Sequence, residues 1–142
     1  MTALVVDSSV VVNAVLERGL SKKHQRAMTT SDTLVVSRLA LVETSRALYR
    51  AELEKRVTAA GRATAQAQAN ELWGRCEIWE LSRSVCAEAM LLAPQAGLRA
   101  LDALHLATFL AVRKHANDAR LLTTDARMLE AARTMRIRTV ER

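Results

Sequence analysis

The stretch TALVVDSS, residues 2–9, decides the fold of this chain. Residues 3–6 are four apolar residues in a row, two of them β-branched, and they predict a short strand buried on both faces of a sheet. Asp7 follows directly, where that strand would end. Because ligands of open α/β sheets bind beyond the carboxyl ends of the strands, Asp7 is expected to lie where such folds carry out chemistry. Ser8 or Ser9 is expected to cap the helix that begins there.

Length and composition are those of an ordinary globular protein. The 142 residues predict one domain, residues 1–142, with enough chain to bury a core. Half of the residues are hydrophobic and a quarter are charged, as in most soluble domains. No apolar run is long enough to span a bilayer, and the start lacks a signal-peptide pattern, so a cytoplasmic protein is expected.

The net charge of +6 predicts an anionic partner, of which nucleic acid is the commonest. Aromatic residues are only 3% of the chain, which argues against a platform on which bases stack, so bound RNA should be held by its phosphates and shape. Cys76 and Cys86 form neither a CxxC pair nor part of a zinc-type cluster, and two reduced thiols are expected.

Strands and helices alternate along the chain. Further strands are predicted at 33–36, 76–81, 119–122 and 137–140, and helices at 9–16, after Ser21, from Ser37 to about 55, at 57–73, after Ser82 or Ser84, at 98–112 and at 126–135, with Gly19 and the pair Pro94 and Gly97 marking helix ends. This order predicts a parallel α/β sheet, without repeats or linkers. The alanine-rich helix at 57–73 is expected to pack closely against a neighbouring helix or a second subunit.

Glu43 is the first of three further acids that stand out, and it lies within a predicted helix. Arg46 and Arg50 follow at i+3 and i+7 on the same side of that helix. An exposed ion pair would therefore explain Glu43 without any chemistry, and this alternative stays open beside a functional role.

Asp102 lies in the first turn of the helix predicted at 98–112, which is apolar nearly all round after this residue and should be deeply buried. The helix dipole favours an acid there, so a purely structural role is one interpretation. Against it, a carboxylate in apolar surroundings needs a cation or strong hydrogen-bond donors. His105, one turn further on, would form a pair of metal ligands with Asp102, although a histidine hydrogen-bonded within the core is the favoured interpretation.

Asp125 repeats the arrangement of the opening stretch. The segment ARLLTTD, residues 119–125, gives a short strand, then hydroxyl residues, then an aspartate. Its alternative role is to cap the helix predicted at 126–135.

The four acids, Asp7, Glu43, Asp102 and Asp125, suggest a metal site if they converge. Several carboxylates in a small space repel one another. A hard divalent cation resolves this repulsion, and all-oxygen ligands favour Mg²⁺ or Mn²⁺ over zinc.

Four pieces of the sequence together resemble the PIN-domain family, and within it the VapC-type ribonuclease toxins of bacterial toxin–antitoxin pairs. They are the opening Asp7-Ser8-Ser9, the helical Glu43, RALDALHLA at 99–107 and LTTD at 122–125. The resemblance covers nearly the whole chain, and the segment at 99–107 is its most specific part. It implies an α/β, PIN-like three-layer fold in which a central, mostly parallel sheet is flanked by helices.

The resemblance also implies roles for residues. Asp7, Glu43 and Asp102 match the family's three main acids, Asp125 its fourth and Thr123 the hydroxyl residue two positions before it, with Ser9 as a further supporting residue. Asp7 and Asp102 would hold the metal, directly or through water. Asp125 would complete the site or hold a second metal, and Glu43 would position or deprotonate the attacking water. Arg46, Arg50 and Arg99 would steer the RNA backbone.

The implied function is that of a Mg²⁺- or Mn²⁺-dependent endoribonuclease that cuts tRNA, rRNA or mRNA. Its partners would be the RNA, a cognate antitoxin that silences it, and a second copy in a homodimer. The alternative is a catalytically silent PIN-like module that binds RNA or protein, against which the presence of all four acids counts. A receiver domain would need a second acid near Asp7 and a late lysine after a strand, and a haloacid-dehalogenase phosphatase would need an acid where Ser9 stands.

Overall fold

The computed structural model describes residues 2–16, 19–92 and 98–140. Within them the chain forms four strands, β1 Ala3–Val6, β2 Thr33–Ser37, β3 Cys76–Trp79 and β4 Arg120–Leu122. Its seven helices in the same ranges are α1 Ser8–Leu16, α2 Lys22–Thr30, α3 Arg38–Leu53, α4 Ala59–Trp73, α5 Arg83–Leu91, α6 Ala100–Arg113 and α7 Ala126–Thr134.

The sheet has the order β3-β2-β1-β4, and its strands are all parallel. The chain adds β2 and β3 on one side of β1 and then returns to place β4 on the other side. The strand order therefore reverses between β1 and β4, where Val6 pairs with Leu122. In open parallel sheets the crevice beyond the carboxyl ends of strands at such a switch point is the ligand site.

Apolar side chains fill both faces of the sheet, because alternate residues of a strand point to opposite sides. Val5 and Leu121 belong to one core, which α6 and α7 cover. Val6 and Leu122 belong to the other, which α1, α2, α3 and α4 cover. The predicted three-layer α/β fold with a parallel central sheet is thus confirmed.

The alanine-rich helix α4 packs within the chain, against α1 and α3. Ala65 and Ala69 are buried there, since small side chains let helices approach closely. A neighbouring helix therefore accounts for its composition, and the homodimer stays a prediction.

Three serines cap helices as the sequence predicts. The hydroxyls of Ser21, Ser37 and Ser82 accept hydrogen bonds from the first-turn amides of α2, α3 and α5. The prediction that Ser8 or Ser9 caps α1 is wrong, because both hydroxyls bond to acidic side chains instead.

The predicted last strand at 137–140 is reduced to one parallel bridge between Thr139 and Leu121. The amide of Leu121 donates to the carbonyl of Arg138 at 2.8 Å, and the amide of Val140 donates to the carbonyl of Leu121 at 3.1 Å. Its strand-like pattern arises because Ile137 and Val140 fill the cores on opposite faces of the sheet. Pro94 and Gly97, predicted to mark the end of α5, lie outside the described residues.

Cys76 and Cys86 are free thiols, as predicted. Burial raises the pKa of Cys76 to about 11, so this thiol stays protonated at neutral pH.

Within the described ranges, no helix combines the length and the apolar character that crossing a membrane requires.

Candidate metal centre

Asp7 directly follows β1 at the point where the strand order reverses. Its side chain is buried, with the residue only 5% exposed, so the carboxylate needs strong donors. Ser9 Oγ donates to Asp7 Oδ2 at 2.7 Å and Thr123 Oγ1 donates to the same oxygen at 2.8 Å. Asp7 is thereby held by one oxygen, and Oδ1 lacks a hydrogen-bond donor among the described residues.

Ser9 and Thr123, the two predicted supporting residues, also fix the loop that follows β4. The amide of Thr124 donates to Ser9 Oγ at 3.0 Å, and the amide of Asp125 donates to Thr123 Oγ1 at 3.1 Å. Asn13 of α1 donates to Thr124 Oγ1 at 3.0 Å. These bonds tie α1 to the β4–α7 loop and give Asp7 a rigid surrounding.

Glu43 projects from α3 toward Asp7. Ser8 Oγ donates to its Oε1 at 3.1 Å, and the ring of His105 makes a hydrogen bond to the same oxygen. Neither Arg46 nor Arg50 pairs with Glu43 in the part of the chain that the structure describes. The helix ion pair that would have explained this acid without chemistry is therefore not formed.

His105 of α6 lies against both acids and is buried, with the residue only 6% exposed. Its Nε2 lies 3.7 Å from Asp7 Oδ1 as well as against Glu43. Burial by itself lowers the pKa of His105, but the hydrogen bond to Glu43 and the negative charges of Asp7, Glu43 and Asp102 outweigh it, so the pKa lies above its ordinary value. The histidine is hydrogen-bonded within the core, as favoured from the sequence, and its partner is a site residue.

Asp7, Glu43 and His105 each present one ligand atom, and these atoms lie within 4.8 Å of one another. Around an octahedral Mg²⁺ at roughly 2.1 Å, neighbouring ligands are about 3 Å apart and opposite ligands about 4.2 Å apart. The spacing thus fits a divalent ion after small side-chain movements. Two carboxylates and an imidazole also suit Mn²⁺ chemically.

Asp102 lies at the start of α6 and is only 7% exposed. Its Oδ2 accepts a hydrogen bond from the backbone amide of Arg99 at 3.0 Å, in a capping box, and lies 3.6 Å from Arg99 Nε. It thus has the cation and the donor that an acid in an apolar setting requires. Asp102 lies outside the group of three, and its role as a metal ligand stays a prediction.

Asp125 is the N-cap of α7, where its Oδ1 accepts a hydrogen bond from the amide of Arg127 at 2.8 Å. It too lies outside the group of three, so its metal role stays a prediction. Asp7, Glu43, Asp102 and Asp125 share one feature: among the described residues, each has one carboxylate oxygen held by hydrogen bonds and the other without a donor.

A groove of about 650 Å³ opens beside Glu43 and Asp102. Acidic and basic residues line it together with small and apolar ones; they are Ser8, Ser9, Val12, Asn13, Glu43, Arg46, Ala47, Arg50, Arg99, Ala100, Leu101 and Asp102. Three predicted RNA-steering arginines, Arg46, Arg50 and Arg99, are thus on the walls next to Glu43 and Asp102. A groove lined by both carboxylates and guanidinium groups suits an anion that a divalent ion also contacts.

Comparison with known proteins agrees with this geometry. Residues 4–134 match the family model of the PIN domain. No curated protein sequence matches the chain. Among solved structures, a protein from Pyrobaculum aerophilum is similar with a TM-score of 0.64 and 18% identity, over 92% of this chain and 79% of its own.

Two further similar structures carry toxin names. VapC20 of Mycobacterium tuberculosis, described as a sarcin-ricin loop cleaving toxin, has a TM-score of 0.61 and 16% identity, over 90% of this chain and 94% of its own. A DNA-bound VapBC from Salmonella typhimurium has a TM-score of 0.62 and 14% identity, over 98% and 97%. At these identities the likeness shows the fold. The match over residues 4–134 shows more, because it places this chain in the PIN-domain family.

Proposed function

We propose that this protein is a divalent-metal-dependent endoribonuclease that acts in the cytoplasm as the toxin of a toxin–antitoxin pair. Membership of the PIN-domain family supports a nuclease. The observation that carries the proposal is the arrangement of the acids: each holds one oxygen in a hydrogen bond and leaves the other without a donor, beside a groove with arginines on its walls.

Asp7 and Glu43 would hold the ion, because each presents a carboxylate oxygen within 4.8 Å of the other and of a ring nitrogen of His105. His105 would lie behind them and keep Glu43 in place through its hydrogen bond. Asp102 would act from the groove wall through water. A bound Mg²⁺ or Mn²⁺ would supply an activated water and offset negative charge on the phosphate.

Asp125 would serve the site through the β4–α7 loop, of which it is the last residue. Its amide bonds to Thr123 Oγ1, and Thr123 in turn donates to Asp7. Its second carboxylate oxygen would add negative charge near the ion, which is a smaller contribution than that of Asp7.

RNA would enter along the groove with its phosphates against Arg46, Arg50 and Arg99. In the described residues Arg46 and Arg50 have no carboxylate partner, so their charges are available to the RNA. The net charge of +6 strengthens this attraction over a longer range. With aromatic residues at 3%, backbone contacts would dominate over base stacking.

A cognate antitoxin would complete the system. The similar structures include a toxin–antitoxin complex from Klebsiella pneumoniae, with a TM-score of 0.60 and 14% identity, and the VapBC complex from Salmonella typhimurium. These complexes support an antitoxin partner for this chain. Association as a homodimer, which the sequence resemblance implies, is a further part of the proposal.

The test is cleavage of structured RNA by the purified protein. Cleavage should occur with Mg²⁺ or Mn²⁺ and stop when a chelator is added. The matched variants are Asp7→Asn, which should lose cleavage, and Asp118→Asn, which removes the same charge before β4 and should keep it. Metal-dependent RNA binding without cleavage in the wild type would instead indicate the silent binding module.

A further inference from the structure

A second pocket lies beside the amino end of β4, between α2 and the bridge formed by Thr139. It has a volume of about 420 Å³ and shares no lining residue with the groove. Three cations line it, Lys23, Arg26 and Arg120, together with the hydroxyl-bearing Thr30. None of the described residues that line it is acidic.

Among the residues that the structure describes, none neutralises these cations. Within residues 2–16, 19–92 and 98–140, Lys23, Arg26 and Arg120 form no ion pair, whereas Arg62, for comparison, pairs with Glu52 at 2.8 Å. Three like charges around one cavity repel one another. An anion in the pocket would relieve that repulsion, and guanidinium and ammonium groups are the donors that bind phosphate in proteins.

We propose that this pocket binds a phosphate group of the RNA strand, away from the bond that is cleaved. The proposal rests on the proposed function, because it takes RNA as the partner of the chain. The pocket would add affinity without reading sequence, since phosphate contacts position a nucleic acid and carry no base information.

The position of Arg120 connects the pocket to the metal centre. Arg120 begins β4, and Thr123, which donates to Asp7, follows three residues later. At roughly 3.3 Å per residue the two Cα atoms are about 10 Å apart along the strand. A nucleic-acid strand rises about 3.4 Å per nucleotide in a helix, so roughly three nucleotides would reach from one site to the other. The helices α1, on the groove, and α2, on the pocket, also cover the same face of the sheet.

The experiment measures binding of labelled RNA in chelator, so that cleavage does not interfere. The triple variant Lys23→Gln, Arg26→Gln, Arg120→Gln is compared with Lys55→Gln, Arg75→Gln, Arg83→Gln. The control removes the same charge from exposed positions outside both the groove and the pocket. One RNA is long enough to span both sites, and the other is a dinucleotide, which is too short to reach from one site to the other.

We expect the pocket triple to weaken binding of the long RNA about tenfold and to lower the slope of log K against log salt by about 0.7, as for one lost phosphate contact on a single strand. Dinucleotide binding by the pocket triple and RNA binding by the control triple should change little. Equal weakening by both triples, or no change from the pocket triple, would overturn the proposal. The double variant Lys23→Gln, Arg26→Gln, at exposed positions of α2, gives the same test if the triple folds poorly.

Two further measurements distinguish this proposal from binding of free phosphate and from a failure of the proposed nuclease activity. Inorganic phosphate, titrated into the wild type, should compete with RNA only weakly; saturation of the pocket by phosphate at low concentration would assign it to a free ion and overturn the RNA contact. Cleavage of the long RNA after Mn²⁺ is restored tests the nuclease itself. Pocket-dependent binding without any cleavage would refute the nuclease and leave the phosphate pocket standing.

Discussion

The four candidate acids, after β1, in α3 and at the starts of α6 and α7, are held in two different ways. On the β1–α3 side, Asp7 and Glu43 are held by side chains, namely serine and threonine hydroxyls and the ring of His105. On the α6–α7 side, Asp102 and Asp125 are held by backbone amides at helix starts. An acid at a helix start stabilises the fold whether or not it has another role, whereas the first pair of acids is held by serine, threonine and histidine side chains that donate to the carboxylates. We therefore propose Asp7 and Glu43 as the principal ligands of the ion.

The largest effect should come from Asp7→Asn. The amide oxygen still accepts hydrogen bonds from Ser9 and Thr123, so the fold should be retained, but the charge that holds the ion is lost. Cleavage should fall by at least about two orders of magnitude, as for a group that acts at the transition state. Single-turnover cleavage assays at saturating RNA measure this. Asp118→Asn is the charge-matched control. A loss of less than fivefold in Asp7→Asn would contradict the role of Asp7 as a metal ligand.

Glu43→Gln should remove most of the stabilisation by metal. A divalent ion that binds the folded state stabilises the wild type by roughly 1–3 kcal/mol at ten to a hundred times its Kd. For a domain of this size the melting temperature should rise by about 4–10 °C. Glu43→Gln should lose most of this rise, and the exposed Glu71→Gln on α4 should keep it. If the melting temperature of Glu43→Gln rises with Mn²⁺ as much as that of the wild type, Glu43 is not a metal ligand. Side-chain hydrogen bonds to an acid would then not distinguish metal ligands from helix caps.

Asp125→Ala should lower the free energy of unfolding by about 1 kcal/mol, because α7 loses its N-cap. Asp125→Asn should stay close to the wild type, since asparagine caps equally well. Denaturant unfolding without metal measures both. Because Asp125→Asn keeps the cap and removes the charge, its cleavage rate isolates the metal role; a loss as large as that of Asp7→Asn would show that a helix-start acid is a principal ligand.

The smallest effect concerns the protonation of His105. In the metal-free protein its pKa should lie above the ordinary 6.5, because the neighbouring carboxylates favour the charged ring. A raised pKa stabilises the fold fully below pH 6.5, and this stabilisation is lost as pH rises through the folded pKa. A diamagnetic ion such as Mg²⁺ would offset the carboxylate charges and lower the pKa. NMR titration of the histidine rings measures it, with His115 as an internal reference; a His105 pKa that does not respond to Mg²⁺ would contradict a nearby ion.

The sequence predicts most of the fold because its signals are local. Apolar runs define β1, β2 and β4, and serine caps mark the starts of three helices. The strand expected at 137–140 shortens to one bridge, because pairing with β4 is limited to Thr139, while Ile137 and Val140 are apolar since they fill the two cores. Periodicity alone does not distinguish these two causes.

The site is less predictable because its decisive contacts are long-range. Arg46 lies at i+3 from Glu43, and this spacing favours an exposed ion pair as much as it favours a functional role for Glu43. Its actual partner, His105, lies 62 residues away. The Asp102-x-x-His105 spacing did mark the histidine, but it suggested a pairing with Asp102, and the turn of α6 directs the ring to Glu43 and Asp7 instead.

Crystals grown with Mn²⁺ give the most direct measurement of where the ion binds. Anomalous scattering locates manganese without reference to activity. We predict a peak within bonding distance, roughly 2.2 Å, of a carboxylate oxygen of Asp7 and one of Glu43, with Asp125 still bonded to the amide of Arg127. A peak bonded to Asp102 and Asp125, with Glu43 still hydrogen-bonded to His105 and away from the metal, would contradict the assignment.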